Sequence, residues 1–166
     1  RFSKPSINWA VTAMQIRSAE TAGFCFGVER AVSLAEQTAR SCASAVTLGP
    51  IIHNRHVVER FAAMGLREIA RAEDAQPGQT VVIRAHGIPV SEQQTLAARG
   101  AKLVDATCPF VKKIHVIARQ AEEAGRHLLI IGTPTHPEVM AIASYSSDAH
   151  VFQTAEALES WLTEAP

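Results

Sequence analysis

The sequence predicts an α/β protein built from small αβα units with parallel sheets. Three observations predict it. Short β-like runs alternate with segments whose apolar residues recur at helical spacing. Turn-forming stretches such as AQPGQ (75–79) and LGP (48–50) separate the two kinds. Of the 166 residues 47% are hydrophobic, enough for a packed core in one ordinary domain or two small ones.

The elements follow in order. MQIRSA (14–19) reads as a first strand. FGVERAVSLAEQTARSC then carries Val28, Val32, Ala35, Ala39 and Cys42 on one helical stripe. AVTL (45–48) is the next strand, and LREI (66–69) a weaker one. TVVIR (80–84) and KLVDA (102–106) are strongly β-like. FVKKIHVIARQAEEAG sets Val111, Ile114, Ile117, Ala118 and Ala121 on one stripe and stops at Gly125, a usual helix terminator. HLLII (127–131) and HVF (150–152) are strands, and TAEALESWLTE closes the chain as a helix. The expected division is an unstructured extension over 1–13, a first unit over 14–107 and an incomplete second unit over 108–166. A transit-peptide remnant is the alternative for the start.

Composition excludes several classes. Lys plus Arg and Asp plus Glu number 16 each, so bulk charge attracts neither nucleic acid nor an anionic membrane. No apolar run reaches the ~18 residues of a membrane span. Three widely spaced cysteines make no disulfide framework and fit a reducing compartment, with the bacterial cytoplasm expected and a plastid as the alternative.

The reactive residues fall at predicted strand ends. Cys25 lies between the first strand and the first helix. His53 follows the second strand, and His86 ends TVVIR beside Gly87. Cys108 follows KLVDA, and His136 and Glu138 follow HLLII. Open α/β sheets bind ligands outside the carboxyl ends of their strands. Two thiols, three imidazoles and a carboxylate would therefore share one rim. Helix starts beside them would favour thiolates and phosphates.

Each residue also has a plainer reading. A lone cysteine is usually a small buried apolar group, and Cys42 is read that way from its place on the apolar stripe. His56, His115, His127 and His150 are read as surface or packing residues. No CxxC spacing is present, so a structural zinc knuckle is not expected. A zinc or mononuclear iron hydrolase and a non-catalytic anion-binding domain remain alternatives on these residues.

The motifs GFCFGVERA, GPIIHN, RAHG, DATCP and HPEV, in this order, resemble the 4-hydroxy-3-methylbut-2-enyl diphosphate reductase (IspH or LytB) family from about Met14 to about Tyr145. The resemblance implies three α/β units around an iron–sulfur cluster, 4Fe–4S with 3Fe–4S as the alternative. It implies Cys25 and Cys108 as cluster ligands. It implies His53, His86 and His136 as ligands of a substrate diphosphate, and Glu138 as a proton relay. The implied reaction is reductive dehydroxylation to isopentenyl and dimethylallyl diphosphate, with ferredoxin or flavodoxin as electron donor.

Two departures accompany the resemblance. The family takes a third cysteine ligand, and a Ser/Asn group for the diphosphate, from a third unit, whereas this sequence ends at Pro166; the 166 residues alone are expected to be inactive. Cys42 is a poor substitute, because a helix of about 17 residues sets it roughly 25 Å from Cys25. In HPEVMA, Ala141 stands where the family has glycine.

Overall fold

The computed structural model describes residues 15–164. The elements run α1 (Phe26–Ser41), β1 (Val46–Leu48), α2 (Arg55–Ala63), β2 (Arg67–Ile69), a 3-10 turn (Ala72–Asp74), β3 (Thr80–Ile83), α3 (Val90–Ala98), β4 (Lys102–Asp105), α4 (Pro109–Glu123), β5 (Leu128–Ile131), α5 (Pro137–Ala143), β6 (Ala149–Phe152) and α6 (Ala155–Glu164). Mixed α/β structure with parallel sheets is therefore what the alternation predicted.

Four strands form one sheet in the order β2-β1-β3-β4, and β5 and β6 form a second. Every pairing is parallel. The central strands β1 and β3 are almost wholly buried, as strands covered on both faces must be. Their side chains alternate between two cores. Val82 joins Ala31, Val32 and Ala35 of α1 and Val57 and Phe61 of α2. Val81 and Ile83 turn the other way, onto Leu96 of α3 and Ala72. The four-stranded sheet is thus the middle layer of an αβα sandwich.

Polar contacts lock the layers near the strand ends. The Arg30 guanidinium of α1 donates to the carbonyls of Thr107 (3.2 Å) and Asp105 (3.4 Å), holding α1 against the β4–α4 corner. His115, buried in α4, stacks on Tyr145 just beyond α5 at 4.6 Å between ring centres. Gln93 of α3 donates to the Tyr145 hydroxyl (3.1 Å), and the Val90 N–H donates to the Ser144 hydroxyl (3.0 Å). This chain of contacts ties the end of α5 to the first sheet.

Two expectations fail. The strand predicted at 14–19 does not form over residues 15–19, which carry no regular secondary structure and lie exposed, Ile16 86% so. A strand needs a neighbour for its N–H and C=O groups, and among the described residues none pairs with this stretch. Cys42, expected to be buried, is only half-buried. It caps the end of α1, and its thiol meets the Thr80 hydroxyl at 3.4 Å. Helix α3 was not individually predicted; its apolar residues form no stripe, and only Leu96 is buried. The expected extension over 1–13 lies outside the described residues.

Gly87 has two reasons to be glycine. Its φ is +78°, and an added Cβ would lie 2.8 Å from the His115 ring. Left-handed backbone costs a non-glycine residue of order 1–3 kcal/mol, and the ring contact adds to it. Gly87→Ala is expected to lower stability by about 2 kcal/mol, read as a shift of the urea midpoint at unchanged slope. A midpoint equal to wild type would show that the turn relaxes freely.

Candidate functional site

The site is built from loops that leave parallel strands on one edge. β1 ends at Leu48, and its loop carries His53. Asn54 follows as the N-cap of α2, its side chain accepting from the Val57 N–H (3.2 Å). β3 ends at Ile83, and Arg84–Gly87 turns with His86 in it. The turn is closed by the Gly87 N–H donating to the Arg84 carbonyl (3.0 Å) and by the Arg84 guanidinium donating to the Gly87 carbonyl (3.1 Å). The loops also bond sideways. Ala85 N–H donates to the Ile51 carbonyl, and Cys108 N–H to the Ala85 carbonyl. The ladder is in effect prolonged past the strands.

His136 arrives from the second sheet. It caps α5, and its Nδ1 accepts from the Glu138 N–H at 3.3 Å. That bond turns Nδ1 toward its own helix and leaves Nε2 as the ring's other ligand atom. The ring centres of His53 and His86 are 4.6 Å apart, those of His53 and His136 6.0 Å, and those of His86 and His136 5.6 Å. One nitrogen from each ring lies within 4.8 Å of the others. The three predicted imidazoles thus meet.

The electrostatics of the trio are unusual. Burial above all, then the charges of His53, His136 and Arg84, push the His86 imidazole down from 6.5 to about 4. Its Nδ1 is buried with no hydrogen-bond partner. His86 is therefore neutral at pH 7 and has one ring nitrogen unsatisfied, an arrangement that an incoming ligand can relieve.

The two cysteines lie at neighbouring helix starts. Cys25 is the N-cap of α1 and Cys108 the N-cap of α4, and neither thiol caps its own helix. A Cβ on Gly27 would come within 2.4 Å of the Cys108 sulfur. Gly27 therefore makes the space in which Cys108 seats against the first turn of α1, two residues from Cys25. Phe24 and Val28, on either side of Cys25, line a depression of about 300 Å³ together with His53 and His86. Glu138 is half-buried in the first turn of α5, next to His136. Cys42 stands at the opposite end of α1, apart from this edge.

Two thiols at neighbouring helix starts suit an iron–sulfur cluster, since cysteine sulfurs are its ordinary ligands. The Gly27 cradle that seats Cys108 on the Cys25 helix is the observation that fits. Two thiolates make only part of the usual set of three or four. Sequence reasoning missed Gly27 and Arg84. The signal for both was present, because Gly27 lies in GFCFGV and Arg84 opens RAHG. What each touches depends on the tertiary approach of α1 to α4 and of Gly49 to Arg84.

A family model described as "LytB protein" matches residues 16–165. A curated relative from Solidesulfovibrio magneticus, named 4-hydroxy-3-methylbut-2-enyl diphosphate reductase, is 44% identical over 153 residues, covering 88% of this chain and 54% of its own. One of the same name from Aquifex aeolicus is 44% identical over 128 residues, covering 76% of this chain and 44% of its own. A solved structure of (E)-4-hydroxy-3-methyl-but-2-enyl diphosphate reductase superposes with a TM-score of 0.75 at 39% identity, over 87% of this chain and 53% of that one. The corresponding Plasmodium falciparum structure gives 0.79 at 25% identity, over 84% and 45%. The chain spans about half the length of the curated relatives it matches.

The lowered value for His86 has a consequence with a definite sign. Its proton binds the unfolded chain near pH 6.5 but the folded one only near 4. The stability it contributes is complete above about pH 6.5 and is lost as pH falls toward 4. Relative to His86→Asn, the wild type is expected to lose more stability between pH 6.5 and 4.5, measured by urea unfolding. Histidine-selective NMR should show one ring still neutral at pH 5.5, and a ring set titrating entirely near 6.5 would contradict the buried environment.

Proposed function

The chain belongs to the LytB protein family, and from that premise we propose that it carries the diphosphate site and part of the cluster site of a 4-hydroxy-3-methylbut-2-enyl diphosphate reductase. The observation that carries this reading is the meeting of His53, His86 and His136, brought by three separate loops to within 6.0 Å of one another between ring centres. Imidazoles so arranged offer several N–H donors to one polyanion. A diphosphate would also reverse the penalty on His86, since a neighbouring anion favours the protonated ring.

In this reading Cys25 and Cys108 hold the cluster in part. The bound cluster supplies electrons, received from a ferredoxin or flavodoxin, and Lewis acidity at the leaving oxygen. The balance is two electrons and two protons per turnover. The C4–O bond breaks, the hydroxyl leaves as water, and a C–H bond forms at either end of the allyl system. Glu138, adjacent to the imidazole trio and not fixed in a helix interior, is the proton donor to the departing hydroxyl. His136 fixes the first turn of α5, on which Glu138 stands, through the bond from the Glu138 N–H. The exposed Phe24, Phe26 and Phe110 flank the two thiols and would limit water at the cluster. Among the described residues no helix is long and apolar enough to cross a membrane; a bacterial cytoplasmic setting, without nucleic acid or membrane partners, belongs to the proposal.

The same three imidazoles have the spacing of a three-histidine metal set, so a zinc or mononuclear iron hydrolase is the competing reading. Inorganic diphosphate titrated calorimetrically into metal-free chain decides between them. Diphosphate should bind, with affinity at least tenfold weaker in His86→Ala. Binding only after zinc addition would favour the hydrolase.

A chain extended to the full length of the relatives tests the chemistry. Glu138→Gln should keep cluster absorbance and substrate binding, while turnover falls by roughly 10²-fold or more, the scale of a lost general acid. Cys25→Ser or Cys108→Ser should lose the cluster absorbance, and Cys42→Ser should not.

A further inference from the structure

A second convergence of ligating groups lies at the amino ends of β5 and β6, outside the imidazole trio. His127 immediately precedes β5, Asp148 immediately precedes β6, and His150 is the second residue of β6. His127 Nδ1 lies 2.6 Å from one Asp148 oxygen, and His150 Nε2 lies 2.7 Å from the other. Two imidazoles thus grip one carboxylate, one ring on each oxygen. One donor atom from each of the three residues lies within 4.8 Å of the others.

The backbone fixes this arrangement. β5 and β6 pair Leu128 with Ala149 and Leu129 with His150, and the Leu128 N–H donates to the Asp148 carbonyl at 2.9 Å. The donors therefore stand on adjacent strands in defined register. Trp161 of α6 packs over both rings, at 5.3 Å from His127 and 4.6 Å from His150.

We propose that His127, Asp148 and His150 bind a zinc-class divalent cation, with water completing the coordination. Two imidazole nitrogens and one carboxylate oxygen suit zinc and its neighbours, whereas magnesium and calcium take oxygen ligands. Donors around tetrahedral zinc sit about 3.3 Å apart, from bonds of about 2.0–2.1 Å. From the 4.8 Å within which the donors lie, the widest separation must therefore close by at most about 1.5 Å, within reach of rotating the partly exposed rings. The ion replaces protons now shared with Asp148. It also pins the start of β5 to the start of β6, which is useful because a two-stranded sheet is marginal by itself.

The imidazole trio is a second metal sink, so the test needs a local signal. Trp161 supplies one. Only two tryptophans are present, Trp9 and Trp161, and Trp9→Phe leaves Trp161 as the single reporter. Copper(II) quenches nearby indole emission, and because copper binds such a site more tightly than zinc, excess zinc competes rather than displaces it outright. In the metal-free whole chain carrying Trp9→Phe, copper is expected to quench in a saturable phase at micromolar concentration, moved to higher copper concentration by excess zinc. His150→Ala should weaken this phase at least tenfold, and so should the milder, surface-exposed His127→Gln. His86→Ala, in the other cluster, should leave it unchanged. Quenching that survives both His150→Ala and His127→Gln, that disappears with His86→Ala, or that needs millimolar metal would overturn the proposal and leave a hydrogen-bonded surface cluster only.

Discussion

Parallel register is the constraint on which the rest of the molecule depends. Ile83 pairs with Asp105, and Leu48 pairs with Ile83. Three strands therefore end at one level, and every loop leaving them emerges on one edge. His86 and Cys108 each stand three residues beyond a strand end, and His53 five. Lateral bonds between the loops, Ala85 to Ile51 and Cys108 to Ala85, carry the register onward into irregular backbone. An antiparallel sheet of the same residues would send alternate loops to opposite edges and separate the imidazoles from the thiol.

What was legible follows from locality. Strand and helix positions were readable because period and turn residues are local properties. The candidate residues were readable as motifs at strand ends. The strand expected at 14–19 was not settled by its own pattern, since a strand exists only with a partner. The meeting of His136 with His53 and His86 was not derivable from spacing either. It depends on how the second sheet sits on the first, through the His115–Tyr145 stack and the Gln93 and Val90 bonds. His115 looked like a packing residue and is one, yet it helps set this geometry. The contact of Cys108 with Gly27 is of the same kind, invisible until two helices meet. His127 and His150 read as ordinary surface residues for that reason as well: only the β5–β6 register joins them.

The trio also carries a cost while it is empty. Three imidazoles gathered beside Arg84, with His86 partly buried, cannot all be charged. His86 answers by remaining neutral. On the proposed reading such a group is poised, because an arriving anion would lower the energy of the very protonation state that burial and the neighbouring charges penalise. A ligand that carries negative charge then gains twice, from its hydrogen bonds and from the relief of repulsion among the rings. A neutral ligand gains only the first.

Net charge hides this capacity. With 16 basic and 16 acidic residues, net charge alone gives no hint of an anion site. The positive potential comes instead from backbone. α1 begins at Cys25, α2 just after His53, and α4 at Cys108. Each helix start presents unpaired N–H groups and a partial positive charge equivalent to about half an elementary charge. Parallel βα connections oblige α2 and α4 to start on the edge where their strands ended, and the bonds from Arg30 to Thr107 and Asp105 hold the start of α1 beside them. The same topology that gathers the side chains therefore gathers the dipoles, and neither appears in a count of lysines. On the proposed reading, selectivity for an anion at this edge would be a property of the fold's direction, and point substitutions of surface charge elsewhere should alter it little, since exposed charges beyond roughly 10 Å are screened in ordinary salt.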